Sequence, residues 1–355
     1  MSTPTALVMA GGTGGHIFPG LAIAEVLRGQ GWQVHWMGAP HPSMESQLIP
    51  PKGFNFEAVR FGGLRGKGKL TLLLLPWRLL QAMMQSLKLI RRIKPDVLVG
   101  LGGYITFPGG LMGVASGRPL ILHEQNAIAG MANQWLGKIS HRIFSSFPNA
   151  LPKAEWVGNP LRSEFLNHPE PAKRYAGRKG PLRVVVMGGS LGAQAINTVL
   201  PQALALIPIQ DRPSVLHQGG EKHLNDLAMA YKQAGVEAEL TAFIDNPAQA
   251  MAQADLVICR SGASTVSEIA AIGVAAVMVP FPFAVDDHQT MNAQFLSAQG
   301  AGWLLAQHEL SAQLLANQLQ NLTRDLLLQA AEKAYGLRKT DAAEKIAQAC
   351  REVLA

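Results

Sequence analysis

The sequence has few cysteines, few charges and no long apolar run. Its two cysteines, Cys259 and Cys350, are too few for a disulfide scaffold or a cysteine-rich zinc site. Only 15% of the residues are charged and 48% are hydrophobic, which excludes a disordered chain. The most apolar stretch, 70–80, is interrupted by Pro76 and Arg78 and is shorter than the ~20 residues that span a bilayer. Since no basic segment precedes the first apolar run, we expect no secretory signal and a cytoplasmic protein.

Acidic residues are scarce in the first half of the chain. Residues 1–160 hold 15 basic and 6 acidic side chains, a net charge of +9, whereas residues 161–355 hold 16 and 18, a net charge of −2. Between residues 60 and 95 there are nine lysines or arginines and no acid. A basic half is typical of proteins that bind nucleic acid, an anionic membrane or a phosphorylated substrate.

Short β-branched strands alternate with helical patterns along the whole chain, which predicts parallel sheets with crossover helices. The order strand, glycine loop, helix opens the chain at residues 7–28 and returns at residues 183–205. We therefore predict two Rossmann-like domains, 1–160 and 161–339, with a linker within 167–180. The tail from 311 onward is predicted to be helical, and its last helix is expected over 340–355.

The first glycine loop has four glycines among residues 11–15, directly after a strand and before a helix. Glycines let backbone N–H groups approach an anion, and the helix N-terminus adds partial positive charge. The loop thus predicts a phosphate or diphosphate site, although a plain tight turn would also need glycine. A dinucleotide site would need an acid at the end of the second strand, and none occurs before Glu45. An NAD enzyme is therefore disfavoured.

Two candidate bases lie near this loop. His16 follows it directly, where it could remove a proton or contact the anion. Glu124 belongs to a run of four polar residues, 123–126, that ends a buried strand, and a polar strand cap is the alternative interpretation. A further glycine cluster, 100–104, also follows a strand, where parallel sheets bind ligands.

The second half has its own polar clusters at strand ends. Residues 260–268 place small hydroxyl side chains at a helix start, with Glu268 one turn in, where its carboxylate could accept ribose hydroxyls. A helix-capping motif would explain part of this pattern. Asp287, Gln289 and Asn292 follow the next strand. Together these clusters indicate a nucleotide site. No metal-ligand spacing occurs, so we expect neither a metal nor another cofactor.

The basic stretch of the first half contains more apolar residues than the core face of its predicted helix needs. A helix is predicted from residue 79, with Leu80, Met83, Met84, Leu87, Ile90 and Ile93 facing the core. The apolar residues before it are flanked by cations, a pattern typical of a surface that contacts an anionic membrane. The predicted membrane contacts are Lys67, Lys69, Leu72, Leu73, Leu74, Leu75, Trp77 and Arg78. A solvated face beside a buried loop is the alternative, and nucleic acid is disfavoured because aromatic residues are sparse.

These motifs, taken in order, resemble the MurG family of peptidoglycan N-acetylglucosaminyltransferases. The resemblance rests on residues 11–20, 102–104, 123–126, 158–162, 188–190 and 260–268, and it covers almost the whole chain. It implies a GT-B fold, in which two Rossmann-like domains face a deep cleft and the C-terminal helix crosses back to the N-terminal domain. It also implies transfer of N-acetylglucosamine from UDP-N-acetylglucosamine (UDP-GlcNAc) to undecaprenyl-diphosphate-linked muramoyl-pentapeptide (lipid I), giving lipid II. The linkage would be β-1,4, formed with inversion and without an obligatory metal, at the cytoplasmic face of the inner membrane.

The resemblance further implies which residues bind the donor sugar nucleotide. They are Thr13, Gly14, Gly15, Asn126, Arg162, Ser190, Ile244, Ala263, Ser264, Thr265, Val266, Ser267, Glu268 and Gln289. Glu268 would hold the ribose, and Arg162 and Ser190 would lie near the diphosphate. The family often has a more polar segment where this chain has residues 282–285, which makes Gln289 the less secure assignment. His16 and Glu124 remain the candidate bases.

Two other classes of function stay open at this point. A different UDP-sugar enzyme with two Rossmann-like domains, such as a 2-epimerase or a glycolipid synthase, would share the nucleotide motifs. A non-catalytic protein that binds anions or membranes would share the basic half. Release of UDP with and without a lipid I analogue would distinguish the three.

Overall fold

Short buried strands and glycine turns build two separate parallel sheets in this protein. A computed structural model describes residues 3–62, 74–189 and 192–354. The chain divides into a first unit, Met1–Arg162 with Lys339–Ala355, and a second unit, Ser163–Arg338. The sequence predicts domains at 1–160 and 161–339, with the last helix over 340–355. The predicted GT-B fold class, with its two parallel-sheet Rossmann-like domains, is confirmed.

The described part of the first unit has a seven-stranded parallel sheet in the order β3-β2-β1-β4-β5-β6-β7. Its strands are β1 (Thr5–Met9), β2 (Gln33–Gly38), β3 (Asn55–Ala58), β4 (Val97–Gly100), β5 (Leu120–Glu124), β6 (Arg142–Ser145) and β7 (Glu155–Trp156). The order reverses between β1 and β4. Ligands of such sheets bind at the carboxyl ends of the strands beside that reversal.

Helices cover both faces of the first sheet. They are α1 (Gly14–Gly29), α2 (Met44–Leu48), α3 (Leu75–Ile93), α4 (Thr106–Ala115) and α5 (Met131–Leu136), with α14 (Ala342–Glu352) from the end of the chain. Side chains alternate along β1, so Ala6 and Val8 pack with the face that bears α1 and α14. Leu7 and Met9 pack on the opposite face, with α3 and α5. The sheet is therefore buried on both sides, as parallel sheets are.

Helix α14 returns from the second unit to the core of the first. Its small apolar residues are buried in the same cluster as α1. On the surface, Arg142 of β6 donates to Glu352 at 3.1 Å. At the start of this return the chain passes so close to Gly158 that a Cβ there would collide with Lys339. Gly158 also has a φ of +87°, so the backbone conformation and the nearby Lys339 both exclude a side chain at this position.

The described part of the second unit repeats the same topology, with the order β10-β9-β8-β11-β12-β13. Its strands are β8 (Arg183–Met187), β9 (Ser214–Gln218), β10 (Glu239–Thr241), β11 (Leu256–Cys259), β12 (Ala275–Met278) and β13 (Trp303–Leu304). Its helices are α6 (Pro171–Tyr175), α7 (Gln194–Ala205), α8 (Leu224–Ala234), α9 (Pro247–Gln253), α10 (Ala263–Ile272), α11 (His288–Ser297), α12 (Ala312–Asn321) and α13 (Arg324–Gly336). Here the order reverses between β8 and β11.

The stretch 167–180, predicted to be a linker, is instead packed onto the second unit. It contains α6, and Arg174 donates to the carbonyl of Ile272 at 2.8 Å. Arg178 donates to Asp255, which is fully buried, at 2.5 Å. The linker prediction was wrong because these arginines bind carbonyls at helix ends and a buried carboxylate rather than water.

Candidate functional site

The first glycine loop and the loop after β4 meet at the strand-order reversal of the first sheet. A Cβ built on Gly103 would lie 2.9 Å from the carbonyl oxygen of Gly11 and 3.6 Å from Nδ1 of His16. Gly103 has a φ of +76°, which L side chains rarely adopt. The structure thus brings together two motifs that lie about ninety residues apart in the sequence.

The N-terminus of α1 opens at the same place. Thr13 is the N-cap residue, and its side chain makes no capping hydrogen bond. The N–H groups of Gly14 and Gly15 lie in the first turn, where a helix offers no i−4 acceptor. Thr13 Oγ1 lies 3.3 Å from Nδ1 of His16, and the His16 side chain is partly exposed. The backbone donors and the helix dipole therefore favour the binding of an anion at this position, beside the imidazole of His16.

Glu124 ends β5, the strand next to β4, and is only 2% exposed. Its carboxylate accepts N–H groups from Asn126 and Gly130 and the side-chain amide of Asn133, at 2.9, 3.1 and 2.9 Å. Burial raises the pKa of Glu124, and these hydrogen bonds act in the opposite direction. The geometry is that of a group that shapes the 126–130 loop. Asn126, predicted to bind the donor, is partly exposed on that loop.

The neighbouring residues of the 123–126 run are also buried. His123 Nε2 lies 3.0 Å from the carbonyl oxygen of Gly158, and its Nδ1 lies 2.9 Å from the amide nitrogen of Gln125. Burial lowers the pKa of His123 to about 4, so the ring is neutral at pH 7. A neutral ring that donates from Nε2 to the carbonyl must accept at Nδ1, which matches the amide donor of Gln125.

Arg162 contacts the first helix of the first unit through an aromatic ring. Its guanidinium lies 5.1 Å from the ring centre of Phe18 on α1. Phe18 in turn packs at Gly14, where a Cβ would lie 3.0 Å from its ring. Arg162 is half-buried, and its position suits a contact with an anion at the loop.

In the second unit, the loop after β8 and the start of α10 occupy the equivalent reversal. Glycine is required in this loop, since a Cβ on Gly188 would lie 2.5 Å from the backbone nitrogen of Ala193. Ser190, the predicted diphosphate contact, lies outside the described residues. Ile244 is half-buried in the loop that follows β10.

The predicted donor run on α10 divides into buried and partly exposed residues. Ala263 and Val266 are 6% and 0% exposed and belong to the core, so only their backbone could touch a ligand. The partly exposed members are Ser264, Thr265, Ser267 and Glu268. Burial, and then the charge of Glu268, raises the pKa of Cys259 at the end of β11 to about 12. Glu268 thus lies close to the carboxyl end of the strand that precedes α10.

Gln289 stabilises the loop after β12 through a hydrogen bond. Its side-chain oxygen accepts the N–H of Phe281 at 2.9 Å. Arg260 holds the same loop by donating to the carbonyls of Val279 and Pro280, both at 3.1 Å. The apolar segment 282–285 places Phe283 at the surface, 82% exposed.

The predicted membrane segment is described only in part. Lys67, Lys69, Leu72 and Leu73 lie outside the described residues. Leu74 and Trp77 are 40% and 57% exposed, Arg78 is exposed and Leu75 is half-buried. Leu80 and Met84 on α3 are 46% and 52% exposed, so their predicted place in the core was wrong. Trp77, Leu80 and Met84 recur at helical spacing and form one exposed apolar stripe.

Three residues of the first-unit site were not predicted from the sequence. Glu45 is fully buried and accepts the N–H of Gly12 at 3.2 Å. Asn133 donates to Glu124, and Tyr104 packs on Gly12. Burial, followed by the charge of Glu45, raises the pKa of Tyr104, so its hydroxyl stays protonated at neutral pH. Tyr104 follows a glycine pair that is visible in the sequence, whereas Gly12, the loop residue that Glu45 binds, lies 33 residues from it.

The chain matches known proteins over nearly its whole length. Two family models match it: the glycosyltransferase family 28 N-terminal domain at residues 6–145 and the C-terminal domain at residues 183–348. A protein of Polaromonas sp. (strain JS666) is 60% identical over 98% of this chain and 91% of its own length. It is named UDP-N-acetylglucosamine--N-acetylmuramyl-(pentapeptide) pyrophosphoryl-undecaprenol N-acetylglucosamine transferase.

Solved structures agree with this match. The crystal structure of Acinetobacter baumannii MurG is 34% identical, covers 98% of this chain and 99% of its own, and has a TM-score of 0.86. A UDP-glucosyltransferase from Polygonum tinctorium, at 11% identity, a TM-score of 0.73 and full coverage of both chains, shares the fold alone. On the identity, the coverage and the two family 28 domains, this chain belongs to the MurG family of glycosyltransferases.

Proposed function

We propose that this chain transfers N-acetylglucosamine from UDP-GlcNAc to lipid I, giving lipid II for peptidoglycan synthesis. The observation that carries the proposal is the 60% identity, over 98% of the chain, to a relative named for that transfer. The site agrees with it, because each unit has a glycine loop and a helix N-terminus at the reversal of its sheet. Such positions suit the two diphosphates that the reaction involves.

We assign the nucleotide of the donor to the second unit. Helix α10 would offer backbone N–H groups to the diphosphate, and Glu268 would accept the ribose hydroxyls. Ile244, Ser264, Thr265, Ser267 and Gln289 complete this part, with Ser190 assigned from the sequence alone. From the first unit, Arg162 would contact the donor diphosphate, and Thr13, Gly14, Gly15 and Asn126 would contact the N-acetylglucosamine. The first glycine loop would also face the diphosphate of lipid I. The leaving diphosphate is then stabilised by N–H donors and a guanidinium.

His16 is the base in this proposal. It would remove the proton from the C4 hydroxyl of the muramoyl sugar while that oxygen attacks C1 of N-acetylglucosamine. The C1–O bond to UDP breaks on the opposite face, so the configuration inverts and the new linkage is β-1,4. The transition state has oxocarbenium character, as in related sugar chemistry. His16 is favoured over Glu124 because the His16 side chain is partly exposed. The carboxylate of Glu124 is buried and already accepts several N–H groups.

We further propose that the first unit docks on the anionic cytoplasmic face of the inner membrane. The exposed stripe of Trp77, Leu80 and Met84, with Arg78 beside it, supports this contact. Apolar side chains flanked by cations favour anionic lipid surfaces. Among the described residues, no helix is long and apolar enough to cross a bilayer.

A UDP-release assay with UDP-GlcNAc, with and without a lipid I analogue, tests the reaction. Transfer predicts release that requires the analogue, and a product that gains one N-acetylglucosamine by mass. Release without any acceptor would indicate an epimerase or hydrolase instead. No release under either condition, with vesicle binding intact, would indicate a binding protein.

A further inference from the structure

The carboxylate of Glu45 lies directly beneath the first glycine loop. It is fully buried, and its two oxygens accept different backbone N–H groups. Oε2 accepts the N–H of Gly12 at 3.2 Å, and Oε1 accepts that of Ala39 at 2.9 Å. One side chain therefore connects the loop after β1 to the residue that follows β2.

The surrounding backbone is shaped to hold this side chain. A Cβ on Gly11 would lie 2.5 Å from Oε1 of Glu45, and one on Gly38 would lie 2.6 Å from its Cγ. At the start of α2, Ser43 and Ser46 bind each other's backbone N–H groups at 3.2 and 3.0 Å. This capping box fixes the first turn, from which Glu45 projects.

The bond to Glu45 determines which donors of the loop remain for a ligand. Gly12 has a φ of +90°, and its N–H is used by the carboxylate. Of the donors that follow, those of Gly14 and Gly15 lie in the first turn of α1, where they have no i−4 acceptor and can bind an anion. A buried negative charge near that anion repels it and weakens its binding. We therefore expect this carboxylate to have an offsetting role, which is to hold the loop in shape.

The same contacts explain why the first unit lacks the ribose-binding acid of dinucleotide sites. That acid normally follows the second strand and accepts hydroxyls of the nucleotide. Glu45 follows β2 but faces backbone N–H groups, and it is 0% exposed. The first glycine loop therefore offers donors to an anion and no carboxylate to a ribose.

We propose that Glu45 is a positioning residue, which holds the first glycine loop in the form that grips the diphosphate of the acceptor. This inference rests on the function proposed above. Glu45 acts through Gly12 and does not touch the substrate.

The test replaces Glu45 by glutamine, whose NH₂ group cannot accept the second N–H. We expect the amide hydrogen of Gly12 or Ala39 to exchange at least tenfold faster in the E45Q protein. We also expect kcat/KM for a lipid I analogue to fall at least tenfold, mostly through KM, with the Kd of UDP changed less than twofold. The matched control is Glu57→Gln, which removes a partly exposed carboxylate paired with His35 and Arg92 and should leave these values within twofold.

A second variant separates position from charge. Gly38→Ala keeps the carboxylate but displaces it, and it should raise KM in the same direction. The proposal is overturned if Gly12 and Ala39 exchange at the wild-type rate, or if KM is unchanged in both variants. It is also overturned if E45Q lowers kcat alone and removes a limb of the pH–rate profile, as loss of a base would. Hydrogen exchange needs no turnover, so it tests Glu45 even if the wild-type protein does not use lipid I.

Discussion

The hydroxyl of Thr13 lies 3.3 Å from Nδ1 of His16, at the partly exposed start of α1. This contact orients the ring, so that Nε2 is the nitrogen turned away from Thr13. We expect His16→Ala to lower kcat by about 10²–10⁴-fold, the usual loss when a general base is removed. The Kd of UDP, measured by calorimetry, should stay within twofold. Turnover close to that of the wild-type protein would rule out His16 as the base.

Glu124 should behave as a residue that shapes its loop. Glu124→Gln places an NH₂ group against N–H donors, which loosens residues 126–130 and moves Asn126. We expect the KM for UDP-GlcNAc to rise about tenfold while the pH–rate profile keeps its shape. Asn133→Ala removes one of the same hydrogen bonds without changing charge, and it should shift KM in the same direction. A fall in kcat with unchanged KM and a lost pH limb would instead identify Glu124 as the base.

The exposed stripe on α3 should determine binding to anionic vesicles. We expect Trp77→Asp combined with Leu80→Asp to weaken cosedimentation with phosphatidylglycerol vesicles at least tenfold. The substitutions remove two apolar side chains from the lipid contact, and the new carboxylates are repelled by the anionic surface. Turnover of a short-chain, water-soluble lipid I analogue should be unchanged. Ile209→Asp is the control, since Ile209 is an apolar side chain of the second unit that is 79% exposed. Vesicle binding that survives the double substitution would show that the stripe only faces solvent.

Two buried histidines should make folding sensitive to mild acid. Burial lowers the pKa of His123 to about 4 and that of His217 to about 3, both below the ordinary value of 6.5. The unfolded chain therefore binds more protons below pH 6.5, and stability falls with falling pH until the folded pKa is reached. Each histidine contributes about 1.4 kcal/mol per pH unit in that window. Urea unfolding at pH 7 and pH 5 measures this slope. His217→Gln should flatten the slope, and an unchanged slope would contradict the assignment.

Asp255 should be the most sensitive charge in the second unit. It is fully buried, bound to Arg178 at 2.5 Å and to the N–H of Arg183 at 2.9 Å. Arg178→Ala leaves the buried carboxylate short of a partner, and we expect the free energy of unfolding to fall by about 3 kcal/mol. The adjacent exposed Lys179→Ala is the control and should change stability by less than about 0.5 kcal/mol. Equal effects of the two substitutions would contradict this account of the site.

Local sequence signals were sufficient for the features that depend on neighbouring residues. Four glycines between a strand and a helix predicted the loop at residues 11–15, because that geometry is set within a few residues. The contacts of Glu45 with Gly12 and of Asp255 with Arg178 could not be predicted, since 33 and 77 residues separate the partners. Periodicity placed Leu80 and Met84 on one face of α3, but it cannot tell whether that face meets a core or a membrane. The charged residues of 167–180 indicated a linker because the sequence does not show that their arginines bind distant backbone carbonyls.

Helix α14 also bears on how the protein is made. Its buried residues complete the cluster that holds α1, yet the whole second unit is translated between them. At about 5–20 residues per second, ribosomes need on the order of 10 s or more to cover that distance. Throughout this interval the nascent first unit exposes the apolar surface that α14 will cover. A premature stop codon within the second unit would therefore also leave the first unit incomplete.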